Sequence, residues 1–282
     1  MRQGFIDQLL IEANKNSSIY LLTADLGYSF LEPFQTSFPD RFINVGVAEQ
    51  NLISCAAGLA LEGKKVFVYS IINFLTFRAL DQIRLDICYH DLDVTLVGVG
   101  ADFSYTAAGY SHYALEDITI LSALPNIEIY SPADRWQTQL VVESICKKSK
   151  PVYLRLGKND QETFCFDSGN ITKGFVCNLG SQGVIITYGQ IASKILKMNY
   201  PYKVITLPLL KPLDEFSLLE HLRDHQRVIV IEEHKRGALS SQIALILHQY
   251  KLKIEADFFF LDDDVVSEEN KIDLDFLSHR IL

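Results

Sequence analysis

The sequence has no cysteine pair at CxxC spacing, no apolar run long enough to span a membrane, no basic excess and no glycine-rich nucleotide signature. Each gap narrows what the chain does. Its five cysteines, Cys55, Cys88, Cys146, Cys165 and Cys177, are scattered and odd in number. That pattern points away from a disulfide framework and towards reduced thiols in the cytosol. The opening stretch MRQGFIDQLLIEANKNSS turns polar too soon for a secretory leader, and nothing approaches the roughly 20 apolar residues of a membrane helix. With 26 Lys+Arg against 35 Asp+Glu the formal charge is −9, which disfavours nucleic acid or an anionic membrane surface as a partner. A soluble, cytoplasmic protein is expected. No G-x-G-x-x-G follows a strand, no G-x-x-x-x-G-K-[ST] occurs, and GVGADFSYTAAG has its glycines at the wrong spacing. His221 and His225, four apart, lack a third ligand, so this chain is expected to hold no metal. There is no fixed-period repeat and no low-complexity tract.

What is present is an alternation. The 282 residues, 48% hydrophobic and 22% charged, suffice for two globular domains. IYLLTAD, KVFVYS, VTLVGVG, IEIYS and VYLRLG read as buried strands. Helical patterns lie between them around 46–61, 76–89, 113–124 and 133–148, the last introduced by SPADRW, with Pro and Asp placed as in a helix start. Such βαβ units predict a parallel sheet covered by helices. The polar GKNDQETFCFDSGNITKG reads as a linker. The rhythm then resumes with strands GVIITYG, KVITL and RVIVIEE and helices near 191–198, 215–222 and in LSSQIALILHQ. Two α/β domains are expected, residues 1–160 and 172–282, each a mostly parallel sheet flanked by helices. The acidic LDDDVVSEEN reads as a solvated loop.

One helix carries an anomaly. In NVGVAEQNLIS, at one hundred degrees per residue, Glu49 falls on the apolar stripe of Ile53, Ala56 and Ala60. An acid facing the core is uncommon unless something pairs with it. Around it, in order, stand TADLG, RFINVGVAEQNLISCAAGLALEGKKVFVYS, FLTFRALDQIRLDI and AAGYSHYALEDITILSALPNIEIYSPAD, followed by PVYLRLGK, LPLLKPLD and VIVIEEHKRGALSSQIA. Over nearly its whole length the chain resembles the C-terminal half of transketolase, a pyrimidine-binding domain followed by the transketolase C-terminal domain.

That resemblance implies thiamine diphosphate as cofactor. Glu49 would hydrogen-bond the ring nitrogen of its aminopyrimidine, a task suited to a carboxyl on an apolar face. Phe74 and Phe77 match aromatics around that ring; alone, an F-x-x-F pair is more often core. Asp25 matches an acid near the thiazolium, and would otherwise be a helix cap. His112 resembles a histidine of the substrate channel, Arg155 an arginine gripping a sugar phosphate, and Ser29 a weaker helper there. Glu116 and Asp117 open a helix, where its dipole favours them. Three positions depart from the family pattern: Ile71 where an aromatic is common, Gly100 where many full-length transketolases carry a histidine, and Ala108 where an acid reads a donor hydroxyl. They put the ordinary donor sugars in doubt.

The diphosphate-binding signature G-D-G…N is missing from the sequence. By resemblance the chain is one subunit of a split transketolase, with Mg²⁺ and the diphosphate held by a partner carrying the N-terminal half, in an α₂β₂ assembly. Such a transferase moves a two-carbon ketol unit between sugars or sugar derivatives. The competing readings are the β subunit of a 2-oxo acid dehydrogenase first component, and a non-catalytic scaffold.

Overall fold

Segments such as KVFVYS and VTLVGV bury every side chain, which a strand does when both faces of its sheet are covered. The structure, a computed structural model, describes residues 1–158, 170–198, 200–262 and 272. In the first unit α1 (Arg2–Lys15) leads to β1 (Ile19–Thr23), α2 (Glu32–Ser37), β2 (Phe42–Asn44), α3 (Glu49–Leu61), β3 (Lys65–Ile71), α4 (Ile72–Thr76) and α5 (Leu80–Gln82). There follow β4 (Val94–Val99), α6 (Asp117–Ser122), β5 (Glu128–Tyr130), α7 (Arg135–Cys146) and β6 (Val152–Leu156). The second unit comprises β7 (Phe175–Asn178), β8 (Val184–Thr187), α8 (Ile191–Lys197), β9 (Lys203–Thr206), β10 (Leu209–Lys211), α9 (Glu215–Leu222), β11 (Arg227–Lys235), α10 (Leu239–Gln249) and β12 (Glu255–Leu261).

Seven strands form one sheet in the order β10-β5-β6-β4-β3-β1-β2 and five form a second, β12-β11-β8-β9-β7. Each is parallel except for one antiparallel edge strand, β10 in the first and β7 in the second. Two α/β units with mostly parallel sheets are therefore present, as the alternation predicts. The units interleave at β10: the chain of the second unit returns to the first sheet, pairing Leu209 with Tyr130. One apolar core runs through both, from Leu22, Val68 and Leu96 to Val184, Ile186 and Val230. On the other face of the first sheet α1 and α7 bury Phe5, Leu9 and Val141 against Tyr69, Val97 and Leu154.

Some expectations shift. The helix predicted over 76–89 is broken: α4 starts at Ile72, α5 is one turn, and a π-helical turn spans Ile83–Tyr89. The wider turn buries Ile83, Ile87 and Cys88 together. The helix predicted from Tyr113 begins only at Asp117; Ala114 before it is instead in an extended bridge with Ala101 and Asp102. Cys55, Cys88 and Cys146 are free thiols, but Cys177 is disulfide-bonded; the scattered spacing carried no sign of a pair. Residues 159–169 of the expected linker, and the acidic segment from Asp263 onward, lie outside the described residues. Among the described residues no helix is long and apolar enough to cross a membrane.

Candidate functional site

The carboxyl ends of parallel strands are where an open α/β sheet leaves its crevice, and most of the candidate residues follow such ends. Glu49 is the first residue of α3, where the helix dipole favours an acid. It is 2% exposed, and Ile53 and Ala56 are buried beyond it on the same face, as the periodicity predicts. The group that meets it was not foreseen: Arg78 Nη1 donates to Glu49 Oε2 at 2.8 Å. The same guanidinium lies 4.7 Å from the centre of the Phe74 ring. Phe74 in turn meets the His112 ring edge-on at 5.0 Å.

Phe74 and Arg78 border an open cavity of about 510 Å³, with Phe77, Tyr110, Ser111 and Glu116 also in its lining; Glu49 lies behind Arg78 and His112 behind Phe74. The short helix α4 follows β3 directly, so Phe74 and Phe77 are carried past the sheet's edge. His112 ends a tight turn (Tyr110–His112) in the loop after β4, and Ser111 Oγ lies 2.9 Å from its Nδ1. With the serine donating, Nε2 keeps the ring proton and can give it to a ligand oxygen. Ring walls able to stack on a flat heterocycle, with a buried carboxyl reached through Arg78 and an imidazole against Phe74, suit proton transfer on a bound aromatic ligand.

Asp25 and Ser29 sit apart from this cluster, on the loop after β1. Both have left-handed backbones, with φ of 55° and 69°, uncommon for non-glycine residues and concentrated at functional sites. Asp25 Oδ1 accepts from Asn44 Nδ2 and from Tyr28 Oη, each at 2.9 Å. Those bonds, Asn44's first, hold the carboxyl below its ordinary range. Ser29 N–H donates to Glu32 Oε1 at 2.8 Å, and the residue is exposed.

Arg155 requires a correction. Although it sits on β6, it is 1% exposed, with Nε and Nη2 engaged and the buried Nη1 making no hydrogen bond among the described residues. Its Nη2 pairs with Asp102 Oδ1 at 2.9 Å and its Nε with Asp117 Oδ2 at 2.9 Å, while Nη2 also donates to Ala114 O at 2.6 Å. A sugar phosphate cannot reach a guanidinium enclosed this way, so the arginine is a structural clasp. Asp117 is accordingly no mere helix-start charge. It also accepts from Tyr153 Oη at 2.6 Å and lies 3.6 Å from His234 Nε2.

The departures from the family pattern have structural readings. Gly100 has φ of 95°, and a Cβ there would lie 2.3 Å from the Tyr105 ring. Tyr105 thus fills the space a side chain at 100 would need, and its ring lies 6.0 Å from that of His112. Ala108 is exposed at the end of a short turn and Ile71 is half-buried at the end of β3. Arg78, Tyr105, Tyr110 and Asn44 were passed over in the sequence. Arg78 left a signal, a cation four residues after Phe74 in the otherwise apolar FLTFRAL.

Residues 1–162 match the family model for the transketolase pyrimidine-binding domain and 177–263 that for the transketolase C-terminal domain. The chain is 30% identical over 260 residues to a subunit of the apulose-4-phosphate transketolase of Phocaeicola vulgatus, covering 88% of this chain and 83% of that one. It is 31% identical over 242 residues to the 6-deoxy-6-sulfo-D-fructose transketolase subunit SqwH of a Clostridium species, covering 82% and 75%. A solved split-gene transketolase, described as an inactive beta4 tetramer, superposes with a TM-score of 0.82 at 32% identity, covering 93% of this chain and 89% of that one. With both family domains matched in order and relatives of this similarity along most of its length, the chain belongs to the transketolase family.

Proposed function

We propose that this chain is one subunit of a thiamine-diphosphate-dependent, transketolase-like transferase. It would move a two-carbon ketol unit between sugars or sugar derivatives, acting with a separate subunit in an α₂β₂ heterotetramer. The observation that carries the reading is Glu49: an acid 2% exposed at the start of α3, joined through Arg78 to the aromatic wall of an open cavity. A buried acid beside stacking rings fits the aminopyrimidine half of the cofactor. The Mg²⁺ and diphosphate are assigned to the partner, because this sequence lacks the G-D-G…N signature that the family uses for them. Two relatives are named as subunits of a larger transketolase, and the tetramer of a third is inactive. Both facts support a need for a second, different chain.

When bound, the cofactor supplies a nucleophilic carbon and an electron sink for cleaving a bond beside a carbonyl. The chain's own residues hold and move protons around it. Glu49 would hold a proton at the ring nitrogen, and Phe74 and Phe77 would hold the ring and exclude water. His112 would hold a proton at a substrate oxygen, oriented by Ser111, and Asp25, apart from that cluster on the loop after β1, is the acid proposed near the thiazolium. Tyr110, Ser111 and Glu116 line the same cavity as Phe74 and are available to a sugar bound there, while Ser29 is the remaining candidate for its phosphate.

Calorimetric titration of thiamine diphosphate with Mg²⁺ tests this reading, into the chain alone and into its mixture with the partner. Tight binding only in the mixture, weakened by Glu49→Gln, is expected. No binding in a complex shown to be assembled would leave a scaffold.

A further inference from the structure

We infer that Arg78 occupies the seat of the aminopyrimidine when the cofactor is absent, and that this competition sets the affinity of the site. The inference rests on the proposed function. A ring recognised here must be flat, must lie against an aromatic wall and must hydrogen-bond the Glu49 carboxyl. The Arg78 guanidinium does all three: it is planar, it sits 4.7 Å from the Phe74 centroid, and it donates to Glu49 Oε2 at 2.8 Å. Arg78 lines the cavity whereas Glu49 does not, so the guanidinium stands between the carboxyl and the space a ligand enters.

The displacement is physically open to it. The Arg78 side chain is 49% exposed against 2% for Glu49, so it can swing into solvent by giving up only its contact with Phe74 and its bond to Glu49. Glu49 cannot follow, being fixed at the first turn of α3. In the cofactor-free protein the pair keeps an otherwise buried acid from standing without a partner, a costly state. The apparent Kd for the cofactor is then raised by the inverse of the fraction of molecules in which the seat is vacant.

Arg78→Ala and Arg78→Met, in the assembled complex, test this by titration with thiamine diphosphate and Mg²⁺ and by thermal melting without cofactor. Methionine keeps an apolar stem over Phe74 and serves if the alanine variant does not assemble. The expected result is a paired change of opposite sense: a lower melting temperature without cofactor and a Kd lower by about three- to tenfold. A lower melting temperature with unchanged Kd would make Arg78 a structural partner only and overturn the inference. A raised Kd would overturn it too, making Arg78 a helper of the cofactor. Absence of binding in the wild-type complex would defeat the functional reading and this inference together, whereas binding that the variants leave unchanged defeats this inference alone.

Discussion

Glu49 and Arg155 show how differently two buried ionic residues can serve. Glutamine at position 49 keeps the shape and still accepts from Arg78, but it cannot share a proton with a ring nitrogen. Glu49→Gln in the assembled enzyme is therefore expected to lower turnover by about 10²–10⁴-fold. The partner's half-exposure keeps the stability change within about 1 kcal/mol. Steady-state rates beside a thermal melt decide it, and wild-type turnover would favour the scaffold. Arg155 answers to stability instead. Burial pushes the Asp117 carboxyl up, but Arg155 beside it and the Tyr153 hydroxyl help to outweigh burial and hold it below its ordinary value. A depressed carboxylate stabilises the fold above its unfolded value of about 3.9, and that contribution drains away as pH falls towards the folded value. Arg155→Met leaves two buried acids without their cation, and should lower stability by about 3–5 kcal/mol at neutral pH. Its deficit should shrink between pH 7 and pH 4, since protonation then relieves the unpaired acids. Urea denaturation at the two pH values reads this directly; a deficit independent of pH would mean the arginine acts by packing alone.

At the scale of elements, legibility followed length and local chemistry. Long apolar runs such as KVFVYS and VTLVGV announced β3 and β4, because a fully buried parallel strand has no polar face to interrupt it. The start of α7 was legible in SPADRW: Asp134 is its N-cap, accepting from Gln137 N at 2.7 Å. Asp134→Ala should cost about 1–2 kcal/mol, measured as a shift of the urea midpoint at constant slope; no shift would make the cap redundant. Strands β2 and β10, three residues each, are too short to carry a period, and β10 exists through pairing with a strand some eighty positions earlier. α1 does carry a signal, Phe5, Leu9 and Ala13 on one face, which a reading that asks only about a leader passes over. In the site the same division holds. Glu49 stood out because its residue type conflicts with its periodicity. The enclosure of Arg155 depends on Asp102 and Asp117, which come from two other segments, and no local pattern contains it.

For the whole molecule, the two units are bound by more than a linker. β10 extends the first sheet, Gln137 Nε2 donates to Thr206 Oγ1 at 2.8 Å, and Gln190 Nε2 donates to Ala101 O at 3.0 Å. His234 of β11 accepts from Ile118 N–H at 3.3 Å, tying the second sheet to the Arg155 clasp and so to the loop that carries His112. An apolar core shared by both sheets removes any plane along which they could part without exposing it to water. The chain holds a single tryptophan, and Trp136 of α7 packs against Phe175 of β7 with ring centres 5.1 Å apart, at the seam itself. Its fluorescence reports separation of the units, whereas far-UV circular dichroism reports loss of secondary structure throughout. If the shared core makes one cooperative body, the two signals should trace the same urea transition. A fluorescence change at lower urea would show the units separating while their sheets persist, and the shared core would then not be what holds them as one body.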